Sequence, residues 1–124
     1  MKYKLIQRTN PQNRNSSKWY AAPVNDGHIT KSEITRDLMD LSSLSRGDVS
    51  NVIENLIEAL PKYLLMGKSV RIGEFGTLRL SFSSDGVDNP ADFSTGKISG
   101  VKIIFTPGAE LKRKLTSIKL EKTE

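Results

Sequence analysis

The feature that most constrains this chain is a change of hydrophobic period at Gly67. Upstream, Val49, Val52, Ile53, Leu56, Leu60 and Leu64 recur at helical spacing behind a helix start at Ser45-Arg46-Gly47-Asp48. Downstream, Val70 and Ile72, then Leu78, Leu80 and Phe82, alternate with Arg71, Thr77, Arg79 and Ser81, and Val101, Ile103 and Phe105 repeat the period of two around Lys102 and Ile104. An apolar helix stripe followed by strands with one greasy face must bury one against the other, so the chain reads as an α+β domain. An earlier helix opens at Thr30-Lys31-Ser32-Glu33, a capping-box pattern, and carries Ile34, Leu38 and Leu41. Pro61 inside the second helix removes the bond to the Ile57 carbonyl and is expected to kink it without necessarily ending it, whereas Gly67 is a natural stop. Thr106-Pro107-Gly108 reads as a threonine cap with proline at the first position of a closing helix containing Leu111, Leu115 and Ile118.

The N-terminal 28 residues read differently. Lys2 to Arg8 and Lys18 to Val24 suit two strands, Thr9 to Ser17 reads as a mobile polar loop, and Asn25-Asp26-Gly27 is turn chemistry. The expected division is a β extension over 1–28 and a main domain over 29–124. With 36% hydrophobic and 6% aromatic residues in 124, the core has little to spare. Two helices and a thin sheet leave Leu56, Leu60, Leu64, Phe75, Leu78, Phe82 and Phe105 partly for subunit contact, so self-association into a dimer is expected.

Charge narrows the function classes. Lys and Arg number 19 against 14 Asp and Glu, a formal net charge of +5, which favours an anionic partner. The surplus sits at the two ends and just after Gly67, while the middle of the chain is acidic. There is no cysteine for disulfide or thiolate chemistry. His28 is the only histidine and stands away from any ligand cluster, so no metal and no cofactor are expected. Asp37 and Asp40 fit a solvated helix face rather than paired catalytic acids, and the Gly73-x-x-Gly76 spacing lacks the helix-opening lysine of a phosphate loop. No enzyme and no small-molecule substrate are expected. No apolar run is long enough to cross a bilayer, and Met1-Lys2-Tyr3-Lys4 lacks the apolar segment of a signal peptide, so no membrane partner and a cytoplasmic location are expected.

Three pieces occur in order: the helical pair, Gly67-Lys68-Ser69-Val70-Arg71-Ile72-Gly73-Glu74-Phe75-Gly76-Thr77-Leu78, and Phe105-Thr106-Pro107-Gly108-Ala109-Glu110-Leu111-Lys112. Together they resemble the HU/IHF family of bacterial histone-like DNA-binding proteins, and most closely its HU-related branch from Bacteroides-type bacteria, which adds an N-terminal segment. The resemblance covers about residues 29–118. It implies an IHF-like fold: an intertwined homodimer with a helical body, a β-sheet saddle and paired β-arms, bound to double-stranded DNA and associated with the nucleoid. In that family a proline at each arm tip wedges between base steps while Arg and Lys hold phosphates, with weak sequence preference. Here the wedge candidate is Pro90. The candidate phosphate contacts are Lys68, Arg71, Arg79, Lys97, Lys102, Lys112, Arg113 and Lys114, joined by Lys2, Lys4, Arg8 and Lys18 from the extension.

The arm span departs from the family pattern. Residues 85–100 hold Asp85, Asp88 and Asp92 against Lys97 alone, and carboxylates in a minor groove face closely spaced phosphates. Asn89-Pro90-Ala91-Asp92 also fits a short helix start, with Asn as cap and Pro first. Two functions besides architectural DNA binding therefore remain open. One is a protein-interaction module on the same fold with an acidic arm and reduced bending. The other is RNA or single-strand binding through Trp19 and Tyr20.

Overall fold

The computed structural model describes residues 1–123. Strands β1 (Lys2–Asn10) and β2 (Asn13–Pro23) precede helices α1 (Lys31–Asp40) and α2 (Arg46–Leu65). Strands β3 (Val70–Ile72), β4 (Gly76–Ser84) and β5 (Ile98–Pro107), helix α3 (Ala109–Leu115) and strand β6 (Glu121–Lys122) follow. They form two three-stranded sheets, ordered β2-β1-β6 and β3-β4-β5, and α2 packs against α1 on one side and against β3 and β4 on the other.

Local chemistry accounts for the helix ends. Thr30 and Ser45 stand in extended conformation, and their hydroxyls accept from the backbone N–H of Glu33 and Asp48. α2 runs unbroken through Pro61. It stops where Gly67 adopts φ +79, with Gly67 N–H bonded to the Leu64 carbonyl and Lys68 N–H to that of Tyr63, which satisfies the last free carbonyls. The closing helix begins later than expected. Pro107 is the last residue of β5 and Gly108 takes the cap position, so Thr106 is a strand residue rather than a cap. The helix also ends at Leu115, short of Ile118.

The first sheet corrects one expectation and adds a strand that the sequence reading did not include. Thr9 to Ser17 is no loose loop: β1 and β2 meet in a hairpin that pairs Asn10 with Asn13, and the side-chain oxygens of Asn10 and Asn13 accept from Gln12 and Asn15 N–H. The C-terminal tail returns to this sheet as β6, parallel to β1. There Glu121 N–H donates to the Met1 carbonyl, Thr123 N–H to that of Tyr3, and the Met1 ammonium to the Lys119 carbonyl at 2.8 Å. Two paired residues at the end of a polar tail carry no periodic signal, so the sequence gives no warning of them.

The two sequence motifs downstream of Gly67 pack on each other. Gly73 and Gly76, at φ +48 and +150, turn the chain between β3 and β4, and Gly108 N–H donates to the Phe75 carbonyl at 2.9 Å. A Cβ on Gly108 would meet the Glu74 carbonyl, and one on Gly76 would meet the Phe105 ring and the Thr106 carbonyl. The rings of Phe75 and Phe105 lie 5.1 Å apart. Glycine is thus required at 76 and 108 by close backbone approach, and the spacing of both motifs records one contact.

The single chain covers little of its apolar surface. Among the described residues only Val49 (4% exposed), Leu64 (3%), Thr35 and Gly76 are buried. Leu60 and Leu78 are half-buried, whereas Leu56, Phe75, Phe82 and Phe105 remain exposed. The α1 stripe of Ile34, Leu38 and Leu41 is also exposed, and the residue α1 buries is Thr35, whose hydroxyl donates to the Lys31 carbonyl. Accessible surface reaches 10,636 Å², where a compact monomer of this mass exposes about 6,600 Å².

Gly108→Ala should lose about 2 kcal/mol of unfolding free energy through the clash with Glu74. Gly47→Ala on α2, where an added Cβ meets nothing closer than 4.0 Å, should leave stability unchanged or raise it by up to about 1 kcal/mol. Urea denaturation at matched protein concentration distinguishes the two.

Candidate nucleic-acid interface

Register decides which of the basic residues share a surface. In the second sheet Val70 pairs with Leu78 and Leu78 with Phe105, while Leu80 pairs with Ile103. Directly paired residues point the same way, so these side chains form one apolar face. Leu65 at the end of α2 joins Leu80, Phe82 and Val101 around an open hollow of about 580 Å³ on that side. The alternate residues form the opposite face. Arg71 pairs with Thr77, Thr77 with Thr106, Arg79 with Ile104, and Ser81 with Lys102.

Arg71, Arg79 and Lys102 therefore occupy one solvent-facing surface, each from a different strand and each exposed. Arg71 is diagonal to Arg79, and Arg79 to Lys102, a geometry that places successive cations about 7–8 Å apart at the backbone. Among the described residues none of the three has an ion-pair partner. The hydroxyls of Thr77, Thr106 and Ser81 stand between them, and Ser83 pairs with Ser99 farther along the same side. These hydroxyls were missing from the sequence-based candidates. Their signal was present, since Thr77 and Ser81 share strand parity with Arg79, and Thr106 shares it with Lys102.

Toward the arm, pairing slips by one residue between Ser81 and Ser83, and Gly100 at φ +65 absorbs the extra residue as a bulge on β5. Beyond Ser84 and Ile98 the strands part. Asp85 N–H donates to the Lys97 carbonyl, and the intervening loop folds into two short 3-10 turns, Pro90–Asp92 and Thr95–Lys97. Pro90 holds the first position of the first turn, and the Asn89 side chain accepts from Ala91 N–H at 3.2 Å. Lys97 is half-buried within the second turn.

Other candidates fall outside this cluster. Lys68 lies in the turn that ends α2, where its backbone N–H serves the helix terminus. Lys112, Arg113 and Lys114 are exposed but consecutive on α3, so they point about 100° apart around the helix. Arg113 is also tied to Glu110. Lys2, Lys4, Arg8 and Lys18 lie on the other sheet. Trp19 and Tyr20 are successive strand residues and project from opposite faces, so they do not form a joint stacking platform.

Comparison with known proteins matches this architecture. A family model described as an HU domain fused to a winged helix-turn-helix, Ig or glycine-rich motif covers residues 1–122. The integration host factor α subunit of Haemophilus influenzae is 32% identical over 93 residues, which is 73% of this chain and 97% of that protein. The corresponding subunit from Vibrio cholerae is 28% identical over 96 residues, 76% of this chain and 98% of its own length. Among solved structures, a protein from Bacteroides vulgatus described as DNA-binding superposes with a TM-score of 0.63 at 16% identity. It covers 98% of this chain, which in turn spans 47% of that longer molecule. HU from Anabaena, crystallised with DNA, gives a TM-score of 0.51 at 15% identity over 72% of this chain and 98% of its own. The chain belongs to the HU/IHF family of histone-like, non-enzymatic DNA-binding proteins.

Proposed function

We propose that this protein is an architectural DNA-binding homodimer of the bacterial nucleoid, located in the cytoplasm, that grips duplex DNA mainly through phosphates with weak sequence preference. The observation that carries this reading is the diagonal of Arg71, Arg79 and Lys102 on the open face of the sheet, unpaired with any described carboxylate and interleaved with hydroxyls. Guanidinium, ammonium and hydroxyl groups on a regular sheet suit phosphate oxygens, which position a duplex without reading its sequence. Lys112 and Lys114 extend the charge along α3. Residues 29–124 are assigned to this DNA-binding unit and 1–28 to an added β segment.

Dimerisation supplies what one chain lacks. The apolar face around Leu56, Phe75, Phe82 and Phe105 needs a cover, and a second copy offers the same face in return. Two copies also double the cationic surface.

The arm loop is assigned a structural role for Pro90. Its ring sets the backbone of the 3-10 turn that Asn89 caps, and Asp85, Asp88 and Asp92 surround it with charge that phosphates repel. Those carboxylates also support the second reading, a module whose acidic arm meets a basic protein. Retained dimerisation with no DNA binding at low salt would favour that reading.

Neutralising the sheet face with Arg71→Gln, Arg79→Gln and Lys102→Gln should weaken binding to unrelated duplexes alike. The slope of log K against log salt should fall by about 2.7 per protomer, as expected for three lost phosphate contacts. Pro90→Ala should leave the bend angle unchanged in a fluorescence-transfer assay on an end-labelled duplex; loss of bend with little loss of affinity would instead assign it a wedging role.

A further inference from the structure

We propose, on the basis of the DNA-binding reading above, that the N-terminal sheet carries a second duplex-backbone contact surface centred on Lys4, Arg8 and Lys18. Lys4 pairs with Ala22, Ile6 with Tyr20 and Arg8 with Lys18, so alternation along β1 and β2 puts Lys2, Lys4, Arg8 and Lys18 on one face. Tyr3, Leu5, Trp19 and Ala21 form the other. From Lys2 to Arg8 this row extends about 20 Å at strand rise, a distance along which one DNA strand presents about six phosphates.

Among the described residues, no ion pair holds this arrangement together. Arg8 and Lys18 are directly cross-strand, where like charges destabilise a sheet, and among the described residues neither has a carboxylate partner. Glu121 and Asp26 lie near Lys2, which confines the uncompensated charge to Lys4, Arg8 and Lys18. An open depression of about 530 Å³ lies beside the cationic pair, with Asn10, Ser16 and Tyr20 in its lining. Its amide and hydroxyl groups suit phosphate oxygens.

The same geometry favours a paired duplex over an unpaired strand. Single-strand binding relies on rows of free aromatic faces. Here Tyr20 is the one aromatic on the cationic face, and the Arg8 guanidinium already lies over its ring, 5.7 Å from the centroid. Trp19 projects from the opposite side.

The test uses the full chain bearing Lys4→Gln, Arg8→Gln and Lys18→Gln, with duplex affinity measured from 50 to 200 mM salt. The slope of log K against log salt should fall by about 2.7 per protomer, with equal losses on unrelated duplexes. Lys18→Glu separates binding from folding. It places a carboxylate opposite Arg8, so thermal stability should hold or rise while duplex affinity falls. An unchanged slope in the N-terminal triple variant, beside a reduced slope in the Arg71, Arg79 and Lys102 variant, overturns this second surface alone. Unchanged slopes in both overturn both surfaces, and absence of duplex binding by the unaltered chain at 50 mM salt overturns the DNA-binding reading itself. Displacement of bound duplex by an equal concentration of single strand, abolished by Tyr20→Leu, overturns the choice of a paired ligand.

Discussion

Apolar surface that one chain cannot cover is the constraint on which the rest of this structure depends. Roughly 25 kcal/mol accompanies each 1,000 Å² of apolar area withdrawn from water, before ordering costs are counted. A chain in which only Val49 and Leu64 of the described hydrophobic residues are buried has not collected that stabilisation. Many of the exposed apolar residues fall on three neighbouring elements. Leu56 and Leu65 belong to α2, Phe82, Val101, Ile103 and Phe105 to the apolar side of the adjoining sheet, and Leu38 and Leu41 to α1 and its end. In the proposed dimer these residues supply the interface, and their burial leaves the opposite sheet surface free for an anionic ligand.

Strand parity separates the two tasks. Each residue step along β4 changes side, so Leu78 and Leu80 serve packing while Arg79 and Ser81 face solvent. A slip of one residue would exchange the two faces, and the chain guards against it at the turn. Gly76 pairs with Pro107, Gly108 bonds to Phe75, and neither glycine tolerates a side chain in that contact. The charged diagonal of Arg71, Arg79 and Lys102 is therefore positioned by a steric lock between two backbone segments, which begins one residue beyond the Arg71–Thr77 pair.

Much of this was legible in the sequence because it rests on short-range chemistry. The Thr30 and Ser45 caps, the stop at Gly67 and the alternation of β4 and β5 each need only a few neighbouring residues to declare themselves. The Asn89-Pro90 helix start was readable for the same reason. Tertiary pairing was not legible. The partner of β1 in the C-terminal tail, the hairpin that orders Thr9 to Ser17, and the extension of β5 through Pro107 all depend on contacts between distant segments. Grouping the cations required the register as well: by composition Arg113 and Arg79 look equivalent, yet one is tied to Glu110 and the other is unpaired among the described residues. Trp19 and Tyr20 likewise read as one aromatic pair until strand geometry sends them to opposite faces.

The proposed function depends most directly on how many chains make the folded unit. Sedimentation equilibrium at low micromolar concentration in moderate salt, without DNA, measures that number. It should return twice the 13.8 kDa of one chain, with no folded monomer accumulating as the protein is diluted. A well-folded species of single-chain mass over that range would contradict it.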